Sequence, residues 1–111
     1  MLTEQDFINQ GYKKFTQKFL NQADFGLQKL IKDEKGKKYY ITVYVFDFSK
    51  FPGYTHEQRY SFQPDVQFKT QSGEYLNISM ILNTDTDIPT IERYFEEIFE
   101  KMNIQYYELW H

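Results

Sequence analysis

The side chains that usually carry out catalysis are sparse in this chain. It contains no cysteine and two histidines, His56 and His111, so disulfides, thiolate metal sites and cysteine nucleophiles are excluded. Acid–base chemistry at His56 would need a carboxylate within hydrogen-bond reach, and Asp47 and Asp65 are the candidates. The glycines are scattered singly, without the spacing of a phosphate-binding loop. The sequence therefore predicts no enzyme activity, no cofactor and no metal site.

Binding chemistry is better supported, because aromatic residues make up 20% of the chain. Residues 38–48 are apolar or aromatic at almost every position. Alternate side chains of a strand point to opposite faces, so Ile41 and Val43 are predicted in the core and the even-numbered positions on a second, aromatic face. Residues 49–59 contain a Pro-Gly pair and predict an exposed hairpin loop. The candidate interface residues are Tyr40, Tyr44 and Phe46 on the strand and Phe51 and Tyr54 in the loop.

An exposed aromatic patch on a small protein usually marks an interface. The leading hypothesis is therefore a small cytoplasmic, non-enzymatic protein-interaction module that binds a protein partner, or a second copy of itself as a homodimer. The competing interpretation is that the N-terminal helix or residues 12–24 cover the aromatic face. Ala23 is the one alanine, and lysines far outnumber arginines. An AT-rich genome produces this composition, which favours a bacterial or phage accessory protein.

Lysines cluster around the predicted turn of the first hairpin. Lys35, Lys37 and Lys38 lie close in sequence to Tyr40 and Tyr44, so they would contact phosphates while a tyrosine ring stacks on a base. Weak single-stranded nucleic-acid or nucleotide binding is therefore the alternative function. It is less favoured than a protein partner, because the net charge is −3 and exposed lysines commonly protect sheet edges from aggregation.

Membrane association is not expected from the hydropathy pattern. No apolar run approaches the ~20 residues that a membrane-spanning helix needs. The N-terminal residues are acidic and lack the basic and apolar regions of a signal peptide. We therefore expect a cytoplasmic protein with no membrane contact.

Two helices are predicted from their caps and their apolar periodicity. Thr3 followed by Asp6 is close to a capping box and predicts a short helix over residues 4–10. Towards the C-terminus, apolar residues recur every three or four positions from Ile91 onward, which is typical of an amphipathic helix. Asp87 is the expected N-cap of this second helix.

Alternating apolar and polar positions predict the strands. Residues 38–48 form the second strand of a hairpin, and further strands are expected at residues 60–69 and 75–83. Pro64 predicts an edge position or a bulge, since proline lacks the N–H that a central strand donates. Residues 12–24 fit either a helix or an edge strand, and the C-terminal tail alternates loosely enough to add a final strand.

These elements combine into one architecture. We predict a single α+β domain over residues 1–111, built on an antiparallel meander sheet of four to five strands. The C-terminal amphipathic helix and the short N-terminal helix are expected on one face of the sheet, giving a two-layer sandwich.

Overall fold

An antiparallel meander of five strands forms the centre of the fold, as the sequence predicts. The strands are β1 (Lys13–Phe15), β2 (Phe25–Glu34), β3 (Lys37–Asp47), β4 (Tyr60–Lys69), β5 (Tyr75–Ser79) and β6 (Gln105–Tyr106). Strands β1 to β5 lie in chain order across the sheet, and the short β6 pairs with β4. The helices are α1 (Glu4–Asn9) and α2 (Ile88–Met102), and a 3₁₀ turn spans Phe48–Lys50.

This computed structural model describes residues 2–19, 21–34, 37–53, 59–69, 75–83, 85–102 and 105–106. At some positions within strands and helices, among them Lys37 and Lys38, the backbone is described without the side chain. Both helices place apolar side chains in the core cluster on one face of the sheet, so the predicted α+β arrangement is confirmed.

Helix α1 begins at the predicted cap. The Asp6 N–H donates to Thr3 Oγ1 at 3.2 Å, and the Thr3 N–H donates to Asp6 Oδ2 at 2.8 Å, which completes the capping box. Gly11 follows the helix with a φ of +94°, a backbone conformation that glycine adopts without steric cost. A helix of this length is not stable alone, and it is held by Phe7, which is fully buried in the core.

Helix α2 is held by its cap, its apolar face and a polar contact with β2. The Thr90 N–H donates to Asp87 Oδ1 at 2.9 Å, as expected for the N-cap. Ile91 and Phe95 are fully buried. Glu92 accepts a hydrogen bond from Lys29 Nζ of β2 at 2.7 Å. These contacts fix the helix against the first half of the sheet.

The main core lies between the two helices and one face of the sheet. Ile41, Val43 and Val45 of β3 are all fully buried there, so the predicted core face of residues 38–48 is confirmed. Leu27 of β2 and Val66 of β4 extend the same cluster across the neighbouring strands. Each side chain of this size contributes roughly 1.5–3 kcal/mol when it is fully buried.

Residues 12–24 divide into two parts. Lys13–Phe15 form the edge strand β1, which pairs antiparallel with β2 through Phe15 and Gly26 among others. Residues 16–24, described except for residue 20, have no regular secondary structure. We name them the covering segment, because they contribute Phe19 and Ala23 to a second cluster on the sheet face opposite the helices.

Pro64 lies on a strand that pairs with β3 on one side and β5 on the other, but at the position where the pairing with β5 ends. It therefore occupies an edge position of β4, and the register with β3 runs through it without a bulge. The Pro64 carbonyl accepts the Met80 N–H at 3.0 Å, just beyond the end of β5 at Ser79. The N–H and carbonyl of one residue point to the same side of a strand. The nitrogen of Pro64, which has no hydrogen to donate, therefore faces the side where β5 has ended. Strand β5 is also shorter than the predicted strand over residues 75–83.

Candidate functional site

The covering segment lies over part of the predicted aromatic interface. Tyr44 is 6% exposed and packs with Phe19 and Ala23. The Tyr44 and Phe19 rings meet edge to face, with centroids 5.3 Å apart. Phe46 is half-buried beside this cluster, and Tyr40 is half-buried further along β3. The competing interpretation, that the chain's own N-terminal part covers this face, therefore holds at Tyr44.

Two local features hold the covering segment in place. The Phe15 ring lies across the backbone of Gly26, where an added Cβ would be 2.6 Å from Phe15 Cζ. A strand glycine commonly marks such a close approach. At the other end, the Asp24 N–H donates to the Val45 carbonyl at 2.8 Å, and Asp24 accepts the Asp47 N–H at 2.6 Å. The segment is thus fixed at both ends to β2 and β3.

A cavity of about 300 Å³ lies beside the covering segment on the same face of the sheet. We name it the second-face cavity. Phe19 and Asn21 of the covering segment form one wall, and the side chains of three strands form the floor. The floor residues are Tyr44 of β3, Gln63, Asp65 and Gln67 of β4, and Asn77 of β5.

Asp65 is the one charged residue among the described residues that line this cavity. It is 4% exposed, and its Oδ2 accepts a hydrogen bond from Asn77 Nδ2 at 3.1 Å. Its Oδ1 is buried and has no hydrogen-bond partner among the described residues. Burial raises the pKa of Asp65 to about 6, against the opposing effect of hydrogen bonds from Asn77 and Ser79. Sequence alternation predicts Asp65 on a polar, outward face, and nothing local to β4 indicates that this position is buried.

Another cavity, of about 430 Å³, lies at the end of the sheet where the loop of residues 49–59 begins. We name it the loop-end cleft. Ile81, on its wall, is 94% exposed. Phe51 of the loop is 63% exposed, and its ring centroid lies 6.3 Å from that of Phe48 on the wall. The apolar lining includes Leu2, Phe48, Tyr60, Phe62, Met80 and Ile81. Tyr54, the other predicted loop contact, lies outside the described residues.

Strand β4 presents an open edge to the loop-end cleft. Strand β5 pairs with β4 from Asp65 to Lys69, so among the described strands residues 60–63 are paired with β3 alone. The Pro64 carbonyl faces the β5 side, and hydrogen-bonding groups alternate in direction along a strand. The backbone N–H and carbonyl of Phe62 therefore face the cleft.

Asp47 and Arg59 close the base of the loop. Arg59 donates to Asp47 through Nε at 3.1 Å and through Nη2 at 2.9 Å. Ser49 donates to the same carboxylate through its N–H and its hydroxyl. These hydrogen bonds, with Arg59 the largest contributor, hold the pKa of Asp47 well below its usual range. His56, which the sequence offered as an acid–base partner of Asp47 or Asp65, lies outside the described residues.

The lysine cluster is described in part. Lys35 lies outside the described residues, and Lys37 and Lys38 are described by their backbone alone. The strand register places Lys37 opposite Glu34 and Lys38 opposite Asp33. Nucleic-acid binding there stays a prediction.

Comparison of this chain with protein-family models, with curated protein sequences and with solved structures finds no match. No helix within the described part of the chain is both long enough and apolar enough to cross a membrane. The described residues also contain no group of three or more histidine, aspartate or glutamate side chains placed to hold a metal ion.

Proposed function

We propose that this protein is a non-enzymatic protein-interaction module that binds an extended, apolar segment of a partner protein in the loop-end cleft. The observation that carries the proposal is the apolar cleft itself, which lies directly beside an open edge of β4. Backbone groups at an open edge can add a strand from another chain, while pockets beside the edge select alternate side chains of that strand.

The exposed apolar side chains at this end support the same conclusion. Ile81 and Phe51 are among the most exposed large apolar side chains of the described residues. Exposed apolar side chains are normal when they are scattered singly, but a group of them beside a groove is typical of an interaction site. The proposed interface therefore retains Phe51 from the interface predicted by the sequence and adds Ile81 and Phe62.

The proposed interface differs from the aromatic face of β3. Tyr44 is buried beneath the covering segment, so a partner would reach its ring only if that segment moved. Tyr40 and Phe46 retain partial exposure and lie at the margins of the covered area. The loop-end cleft needs no such rearrangement, and it offers backbone as well as side-chain contacts.

A peptide-display selection on the full chain tests the proposal. We expect a library of random linear peptides to yield binders with apolar residues at alternate positions, as a strand added to β4 requires. The substitution Ile81→Glu should weaken the selected peptides about tenfold or more, because it removes an apolar contact and adds a charge at the cleft. Tyr94→Glu, on the partly exposed surface of α2, is the matched control and should leave binding unchanged.

Backbone pairing has its own readout. N-methylation of a selected peptide at alternate residues should abolish binding at the positions whose N–H faces β4 and spare the intervening ones. Selected peptides that are insensitive to Ile81→Glu would contradict the proposal. A concentration-dependent dimer in sedimentation, lost in Ile81→Glu, would replace the peptide partner with a second copy of the chain.

A further inference from the structure

The second-face cavity contains a carboxylate with unused capacity to accept hydrogen bonds. A carboxylate offers about four lone-pair sites, and Asp65 Oδ1 has no partner among the described residues. A buried acceptor without a donor is costly, and native structures contain few such groups. Oδ1 is also closed to solvent, so a donor bound in the cavity would pair with it only after the Asp65 side chain turns towards the cavity.

The other walls of the cavity define the chemistry of that donor. Phe19 and Tyr44 are both almost fully buried, and both line the cavity with Asp65. The faces of aromatic rings attract cations, and a buried carboxylate favours a positively charged partner over a neutral one. The described lining includes neither lysine nor arginine, so among the described residues no cationic side chain lies against Asp65 in the cavity.

The size of the cavity and its amide side chains limit the ligand further. A volume of about 300 Å³ equals that of roughly ten water molecules in the liquid and lies at the lower end of the range for small-molecule pockets. Asn21, Gln63, Gln67 and Asn77 also line the cavity. Their amide groups can orient a polar substituent without adding charge.

We propose that the second-face cavity binds a small organic amine, whose ammonium or amidinium group donates to the Asp65 carboxylate while its apolar body packs against Phe19 and Tyr44. The site is separate from the loop-end cleft, although Gln63 borders both. The inference does not depend on the proposed function, because Asp65 and Phe19 do not line the cleft and Ile81 does not line the cavity.

Three probes of matched shape test the proposal on the full chain. They are 2-phenylethylamine, the neutral 2-phenylethanol and the anionic phenylacetate, titrated at a slightly alkaline pH and followed by ¹H–¹⁵N NMR. We expect the amine to give saturable shifts of the Gln63, Gln67 and Asn77 side-chain amides. The alcohol should bind about tenfold more weakly or worse, because a charged hydrogen bond is stronger than a neutral one, and the carboxylate should not bind.

Two variants probe the two sides of the contact. Asp65→Asn keeps an oxygen to accept the hydrogen bond from Asn77 but loses the charge, so it should weaken the amine about tenfold or more and leave the alcohol unchanged. Gln67→Lys places an ammonium group within the lining, where it competes with the amine for Asp65. Gln5→Lys, on exposed α1, adds the same charge elsewhere and should have no effect.

Several outcomes would overturn the proposal. One is equal binding of the three probes, which would mark the cavity as merely apolar. Another is amine binding that survives Asp65→Asn. The third is the absence of NMR shifts in the cavity with 2-phenylethylamine and a panel of alkyl and aromatic amines at millimolar concentration. Loss of amine binding in both Asp65→Asn and Gln67→Lys, with folding retained in the NMR spectra, is the supporting result.

Discussion

The two faces of the same sheet are completed in different ways. On the helix-covered face, Ile41, Val43 and Val45 of β3 are fully buried beneath α1 and α2. On the opposite face, Tyr44 of the same strand is covered by a segment without regular structure, and a cavity remains beside it. A helix brings a continuous apolar stripe to a sheet, whereas an irregular segment covers only the positions that its few apolar side chains reach.

Two buried aspartates show the same contrast in electrostatic terms. Asp47 receives hydrogen bonds from Ser49 and from both nitrogens of the Arg59 fork that face it, and its pKa is lowered. Asp65 receives hydrogen bonds from Asn77 and Ser79 but keeps an unpartnered Oδ1, and burial raises its pKa. Hydrogen bonds stabilise the charged form of a carboxylate, and desolvation opposes it. Asp47 therefore stabilises the fold. Burial of Asp65 instead lowers the free energy of unfolding, and a bound hydrogen-bond donor would offset that loss.

The largest expected effect comes from truncating one aromatic ring on each face. Phe95→Ala removes a fully buried ring from the main core and should lower the free energy of unfolding by about 3–5 kcal/mol. Phe19→Ala removes a ring from the smaller cluster beside an existing cavity and should cost about 2 kcal/mol. Urea-induced unfolding followed by circular dichroism measures both values.

Tyr94→Ala is the control for this pair, because Tyr94 neighbours Phe95 on α2 but is partly exposed. Its cost should stay below about 1 kcal/mol. Equal losses of unfolding free energy for Phe95→Ala and Phe19→Ala would contradict the difference between the two faces, since they would show that the covering segment stabilises the fold as much as α2 does.

The helix-covered face could be predicted from the sequence because its determinants are local. Thr3 and Asp6 cap α1, Asp87 caps α2, and the alternation in residues 38–48 assigns the core positions of β3 correctly. Each of these features depends on residues a few positions apart, which is the range over which caps and periodicity act.

For the opposite face, the sequence offers cover by residues 12–24 only as a competing interpretation, because the determinants of that cover are distant in sequence. The pattern of these residues fits either a helix or an edge strand, and the contact of residues 16–24 with Tyr44 spans more than twenty positions. Asp65 follows the polar alternation of β4, and Phe19 and Tyr44, which line the cavity with it, are distant in sequence. The only local indication is Gly26, since a lone glycine in a strand suggests that another group approaches its backbone.

The two aspartates should make the stability of the protein depend on pH in opposite senses. The pKa of Asp65 rises from 3.8 to about 6 on folding, so the folded state binds its proton more tightly. Its stabilising contribution is complete below pH 3.8 and is lost as the pH rises through about 6. Asp47, with a lowered pKa, acts in the opposite sense, and its contribution is lost as the pH falls below the usual range of a carboxyl group.

Asp65→Asn should remove the first of these effects. At neutral pH the variant is expected to be more stable than the wild type by up to about 2–3 kcal/mol, since two pKa units correspond to that energy. The gain should disappear in acid, where Asp65 is protonated in the wild type. Unfolding free energies measured across this pH range provide the check, with Asp85→Asn in an exposed loop as the control. A gain that does not vary with pH would show that burial of the charge is not its source.

The smallest expected effect concerns the contact that fixes the covering segment to β2. In Gly26→Ala the new Cβ would lie 2.6 Å from Phe15 Cζ, so the ring must move away from the strand. We expect a net loss of about 1 kcal/mol, because the cost of overpacking exceeds what alanine gains in the unfolded chain. Weakened edge-to-face packing of Phe15 on Phe19 should appear as changed ring-current shifts, while the resonances of Ile41 and Val43 on the helix-covered face stay in place.

A double-mutant cycle with Phe15→Leu isolates this contact. If the ring causes the strain, Gly26→Ala should cost less, or even stabilise the protein, once the ring is replaced by a shorter side chain. An unchanged cost in the Phe15→Leu background would place the strain in the β2 backbone itself. The covering segment would then be held at Asp24 rather than at Phe15, and the two faces of the sheet would differ less in how firmly they are closed.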